Sequence, residues 1–208
     1  MPGMELYTAG TGNGQRAAIA VNECGVACTI HVLNLGQGDQ KKPDYLKLNP
    51  TGRIPTLIDP EGPDEKPLTL YQSWAILIYL AEKTGKLRAH SPLARARTFQ
   101  WVAEAASDMA PTAQNIFFLD NRMPEKVPDS AIKFYEDRFV NLWRFADNQL
   151  AETQYLTGNE ITAADLAVYP IYAGRKALPD NAGLRNLQAW GDRVGARPGV
   201  QKGMKLEI

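Results

Sequence analysis

The residues best suited to chemistry sit in a few short stretches of the chain. Gly10-Thr-Gly-Asn-Gly14 invites a dinucleotide-binding reading, because a glycine-rich turn lets phosphates approach a helix amino terminus. Its pattern is G-x-G-x-G rather than G-x-G-x-x-G, and no acidic residue closes the strand that follows, so that reading fails. Taken alone, the segment is a strand-to-helix turn in which glycine and asparagine supply positive φ. Gln72 and Ser73 stand where another helix begins. Ser73 suits an N-cap there, and the N–H groups and dipole of a helix start also favour a carboxylate. Cys24 and Cys28 are the only cysteines, too few for a disulfide scaffold or a four-ligand zinc site, and C-x-x-x-C is not the C-x-x-C spacing of a thioredoxin-like redox pair. Gly25 breaks the helix between them and Cys28 shares a strand face with Val26, Ile30 and Val32, so core packing is expected of both. His31 and His90 have no partner at metal or triad spacing, and neither is assigned a role.

Composition narrows the classes further. Lys plus Arg and Asp plus Glu both number 23 in 208 residues, leaving no excess positive field to collect nucleic acid. No apolar run reaches the roughly 20 residues of a membrane span, and Met1-Pro-Gly-Met-Glu5 lacks the regions of a signal peptide. A cytoplasmic protein without a membrane partner is expected.

The elements that must position these residues follow from periodicity. Met4 to Thr8 reads as a strand, Gln15 to Cys24 as a helix stopped by Gly25, and the alternating run from Val26 as a second strand, making a βαβ unit. Pro43 to Leu48 reads as a short helix. Ile54 to Ile58 and Leu68 to Tyr71 flank a Pro/Gly/Asp/Glu turn and should pair as a hairpin. From Ser73 a helix that is apolar almost all round runs to Thr84-Gly85. Residues 85–92 are short and polar and read as a linker between domains over 1–84 and 93–208. Beyond it only helices are legible: Leu93 to Leu119 with a kink at Pro111, Ser130 to Leu150, Ala163 to Lys176 and Leu184 to Val194. Thr162-Ala-Ala-Asp165 opens one of them like a capping box.

Asn49-Pro-Thr-Gly-Arg-Ile-Pro55, Tyr71-Gln-Ser73 before an apolar helix, Ala81-Glu-Lys-Thr-Gly85 and Ile161-Thr-Ala-Ala-Asp-Leu166 follow in order. With that order and spacing the chain resembles the cytosolic glutathione transferases nearly end to end. Thr11-Gly-Asn-Gly14 and Leu35-Gly-Gln-Gly-Asp-Gln40 with Lys42-Pro43 look like the Nu class of bacteria, whose characterised members reduce disulfides with glutathione.

The resemblance implies the glutathione transferase fold: an α/β thioredoxin-like amino-terminal domain (βαβαββα) followed by an all-α domain. It implies glutathione as co-substrate, no metal, a small disulfide or electrophile as partner, a homodimer and a detoxifying role. Ile54-Pro55 would be a cis peptide, with the Ile54 N–H and C=O meeting glutathione's cysteinyl backbone like an added strand. Gln72 and Ser73 would hold the γ-glutamyl carboxylate. The sulfur would lie beside Thr11 and Asn13, the catalytic pair, where other classes carry Tyr, Ser or Cys. Arg53 reaches the glycyl carboxylate or is a solvated loop arginine; Gln40, aligned with a class glutamine, is open in the same way. A noncatalytic glutathione-binding or regulatory scaffold is the alternative function. Near Ile132, Nu relatives carry an arginine that contacts glutathione. This chain has Phe134 there, with Lys133 beside it. Asn115, Phe117, Phe118 and Tyr172 either wall the second-substrate site or are core.

Overall fold

The computed structural model describes residues 3–206. Met1, Pro2, Glu207 and Ile208, which the leader reading and the outermost domain limits include, lie outside them. The chain forms two compact units, one reaching Arg88 and resuming at Ala196, the other Ala89–Gly195.

The first unit runs β1 (Met4–Thr8), α1 (Gly12–Cys24), β2 (Cys28–Val32), α2 (Pro43–Leu48), β3 (Thr56–Asp59), β4 (Leu68–Tyr71) and α3 (Ser73–Thr84), as the order βαβαββα requires. The sheet order is β2-β1-β3-β4, with β1 parallel to β2 and antiparallel to β3, and β3 antiparallel to β4. Alternation along β1 buries Met4, Leu6 and Thr8. Leu6, Leu57, Ala17, Ala18, Ile76, Leu77 and Leu80 are all fully buried, so one face of the sheet and the facing sides of α1 and α3 make the core. β2 lies at the sheet edge and buries none of its residues. That corrects the expectation for Cys28, which is half-buried rather than core, whereas Cys24 is buried. Both thiols are free, and burial, with Glu5 nearby, pushes the Cys28 thiol up to about 11.

α1 begins at Gly12, three residues before the expected Gln15, because Thr11 serves as its N-cap. Gly14 is required there: a Cβ on it would stand 2.0 Å from the Ala9 carbonyl oxygen. At the far end Gly25 takes the left-handed conformation (φ 64) and stops the helix as the sequence suggested.

Two short helices, at Ala177–Asn181 and Pro198–Met204, escaped the sequence reading. α10 (Pro198–Met204) belongs to the first unit, not to the helices before it. It lies so close on α1 that a Cβ on Gly203 would meet the Ile19 backbone nitrogen at 2.5 Å and its Cα at 2.6 Å. Gln15 Nε2 donates to the Met204 carbonyl at 3.1 Å, and Arg197 Nε donates to Glu23 Oε2 at 2.9 Å. Gly203→Ala forces the two backbones apart and is expected to cost about 1–3 kcal/mol. Denaturant unfolding checks this; an unchanged midpoint would mean that α10 contributes little.

The second unit is helical: α4 (Pro92–Glu104), a π-helical turn (Ala105–Met109), α5 (Ala110–Asn121), α6 (Asp129–Leu150), α7 (Ala163–Gly174), α8 (Ala177–Asn181) and α9 (Arg185–Gly195). The kink expected at Pro111 is a π turn immediately before it. Proline offers no N–H and crowds the carbonyl four residues back, and a wider turn accommodates both. The core is aromatic: Trp143, Tyr172 and Trp190 lie 5.6–6.3 Å apart between ring centroids. Thr162 and Asp165 form the full capping box of α7. Asp165 is completely buried. Its Oδ1 accepts from Leu156 N at 3.0 Å and Trp190 Nε1 at 2.9 Å, and its Oδ2 accepts from Thr162 N at 2.9 Å. Burial pushes its carboxyl up, against these donors. Among the described residues no helix is long and apolar enough to cross a membrane.

Candidate functional site

Sheet register gathers the candidate residues of the first unit at one edge. Tyr7 pairs with Thr56 and Thr56 with Tyr71. The turn after β1, the Ile54-Pro55 dipeptide before β3 and the Gln72-Ser73 start of α3 therefore emerge side by side. Two helices open toward this edge, and neither α1 nor α3 has an acidic residue in its first turn. Their positive ends and free N–H groups remain available to an anion.

Thr11 is exposed, and its Oγ1 accepts from Gly14 N at 3.3 Å. The hydroxyl proton is left to donate outward. Asn13, also exposed, lies in the first turn of α1, where its Oδ1 accepts from Arg16 Nη1 at 2.7 Å. The same nitrogen donates to Ser73 Oγ at 2.9 Å. Ser73 is thus not the N-cap. It is the first residue of α3, 2% exposed, with its hydroxyl turned to Arg16. The cap position falls to Gln72, whose φ of 75° is strained for a side-chain-bearing residue.

Ile54-Pro55 is cis. The loop before it is fixed by Asn49, 1% exposed. Asn49 Nδ2 donates to the Arg53 carbonyl at 2.7 Å and to Thr56 Oγ1 at 3.2 Å, and its Oδ1 accepts from Thr51 N at 3.1 Å and Thr51 Oγ1 at 2.7 Å. Tyr45 from α2 adds a hydroxyl bond to the Arg53 carbonyl at 2.6 Å. Arg53 is thereby held by its backbone while its side chain stays exposed. Among the described residues no loop or turn hydrogen bond takes up the Ile54 N–H or C=O. Gln40 sits in the 3-10 turn Asp39–Lys41, on the loop leaving β2 at the same edge. Its Nε2 reaches the Leu35 carbonyl at 3.5 Å, and its buried Oε1 has no partner among the described residues.

Arg16 was missed by the sequence reading. A charged residue opening the apolar run Ala17 to Val21, three positions after Asn13 and so on the same helix face, was the available signal.

His31, given no role, hydrogen-bonds Glu5 Oε2 at 2.9 Å and stacks on Tyr7 at 4.5 Å. Among the described residues no group of three His, Cys, Asp or Glu could hold a metal. In the second unit Tyr172 belongs to the aromatic core, while Phe117 and Phe118 are exposed. Lys133 pairs with Asp137 one turn along, and Phe134 is exposed. The arginine that shares an open groove of about 680 Å³ with Phe134 is Arg138, which donates to Asp108 Oδ1 at 3.1 Å.

The fold belongs to a defined class. Residues 13–83 match the family model described as "Glutathione S-transferase, N-terminal domain" and residues 108–205 match "Glutathione S-transferase, C-terminal domain". The chain is 30% identical to the disulfide-bond oxidoreductase YfcG of Escherichia coli over 94% of its own length and 91% of that protein. It is similar to a glutathione transferase family member of Pseudomonas fluorescens solved with two glutathione bound (TM-score 0.90, 29% identity, 99% of this chain and 93% of that one). A Pseudomonas putida glutathione transferase solved with one glutathione disulfide per subunit matches with TM-score 0.90 at 28% identity, covering 99% and 92%. This chain belongs to the glutathione S-transferase family.

Proposed function

We propose that the protein binds glutathione at the edge formed by α1, the Ile54-Pro55 turn and the start of α3, holds its sulfur as a thiolate, and uses it to reduce small disulfides. The observation that carries this reading is the pair Thr11 and Asn13, both exposed at the capped, acid-free start of α1. No cysteine lies in that turn, so the nucleophile comes from the tripeptide. A thiol of pKa about 8.5 is only a few per cent thiolate at pH 7, and lowering it by two units takes about 2.7 kcal/mol. A helix terminus supplies about 0.3–1 kcal/mol and each charge-assisted hydrogen bond about 1.5–3 kcal/mol. One hydroxyl, one carboxamide and the helix end therefore suffice.

In the rest of the site the exposed Gln72 and the N–H groups opening α3 receive the γ-glutamyl carboxylate, with Ser73 behind them. Ile54 offers its N–H and C=O to the cysteinyl backbone, Pro55 fixes that turn, and Arg53 and Gln40 face the remaining polar groups. The thiolate attacks one sulfur of the disulfide, forming a mixed disulfide and releasing the other sulfur as thiolate. A second glutathione thiolate then attacks the glutathione sulfur, releasing the second half of the substrate and leaving glutathione disulfide. Attack on an electrophilic carbon by the same thiolate gives conjugation.

The naming of YfcG as a disulfide-bond oxidoreductase favours reduction over conjugation. Assay with hydroxyethyl disulfide and glutathione tests this: steady formation of glutathione disulfide is expected. Retention on immobilised glutathione with no turnover of disulfides or aryl halides would instead make the chain a binding scaffold. A homodimer in a reducing compartment completes the reading, checked by hydrodynamic mass and cell fractionation.

A further inference from the structure

Arg16 is 1% exposed, and the chemistry above does not call on it. Its guanidinium can only donate. The Asn13 group facing it at 2.7 Å is therefore the oxygen, and the Nδ2 end, with two hydrogens, is turned away. A carboxamide left to itself presents either end, and only its hydrogen-bond network decides which. The guanidinium is held in turn by Ser73 Oγ at 2.9 Å and by the ring of Trp74, 3.5 Å from the guanidinium carbon. A planar fork clamped between a hydroxyl and an indole cannot swing away.

We propose that Arg16 is the positioning residue of this site: anchored by Ser73 and Trp74 of α3, it fixes the Asn13 carboxamide so that a donor, never an acceptor, faces the sulfur. The inference rests on the reading that the site holds glutathione. Burial brings the Arg16 guanidinium down to about 9, so it stays charged at neutral pH. Its bond to Asn13 is charge-assisted, and it polarises the carboxamide toward a stronger outward donor.

The test is a double-mutant cycle on the full chain, reading the pH midpoint of the ultraviolet thiolate band of bound glutathione. Arg16→Met should raise that midpoint by about one pH unit, and Asn13→Ala should raise it similarly. Because Arg16 acts through Asn13, Arg16→Met in the Asn13→Ala background should add nothing. Arg16→Gln, which retains one donor and carries the same cycle if Arg16→Met fails to fold, should give a smaller shift. A residue that merely supports the fold would lower the melting temperature and leave the midpoint unmoved. That result, or an equal shift in both backgrounds, overturns the positioning role. Wild-type protein that takes up no glutathione would instead overturn the reading of the site itself.

Discussion

Replacing Thr11 and Asn13 together by Ala lowers kcat/KM for a small disulfide at least a hundredfold at about pH 7, and each single replacement lowers it at least tenfold. The two side chains are the exposed donors at the start of α1. Losing one charge-assisted bond of about 1.5–3 kcal/mol corresponds to a factor of roughly 10 to 150 in thiolate fraction or transition-state stabilisation. The loss should shrink as pH rises through the free thiol range near 8.5, because solvent then supplies the thiolate that the protein no longer makes. Thr11 also caps α1, and a cap removed to Ala costs about 0.5–2 kcal/mol of helix stability. Thr11→Ser separates the two effects, since it restores both cap and donor and should recover most of the activity. Rates near wild type in both single variants would remove the pair from the mechanism.

The largest expected effect on stability is in the second unit. Asp165→Ala removes a buried carboxylate that accepts from Leu156 N, Thr162 N and Trp190 Nε1. Each donor left unsatisfied in the interior costs about 1–3 kcal/mol, so a total above about 4 kcal/mol is expected. At this chain length that lowers the melting temperature by roughly 8–16 °C. Asp165→Asn should fall between, because a carboxamide oxygen still accepts while its amino group meets donors. Calorimetric melting of the three proteins checks the order. A melting temperature for Asp165→Ala within about 2 °C of wild type would show that the capping box does not hold the second unit together.

Much of this was legible before any coordinates. β1, α2, the hairpin and α3 followed from apolar periodicity and turn residues, which are local signals. Thr162 and Asp165 announced their capping box by spacing alone. The failures share a cause: contacts between residues distant in sequence. α10 is short, and its place on α1 depends on Gly203 touching the Ile19 backbone, a fit no local pattern encodes. Ser73 looked like an N-cap, but Arg16, 57 positions earlier, claims its hydroxyl and Gln72 takes the cap position at positive φ. Cys28 sits on a strand whose alternation suggested burial, and the sheet order left that strand at the edge. In the candidate site, Thr11 and Asn13 could be named from the resemblance, whereas Arg16 shows in the sequence only as a charge opening an apolar run, and its contacts with Ser73 and Trp74 are not local.

Calorimetric titration of the protein with reduced glutathione at about pH 7.5, midway between the free and the lowered thiol pKa, repeated in buffers of different ionisation enthalpy, measures binding and proton release together. A sulfur held as thiolate must shed its proton on binding, so saturable uptake with close to one proton released per glutathione is the expected result. No heat of binding at millimolar glutathione, or binding without proton release, would contradict the account.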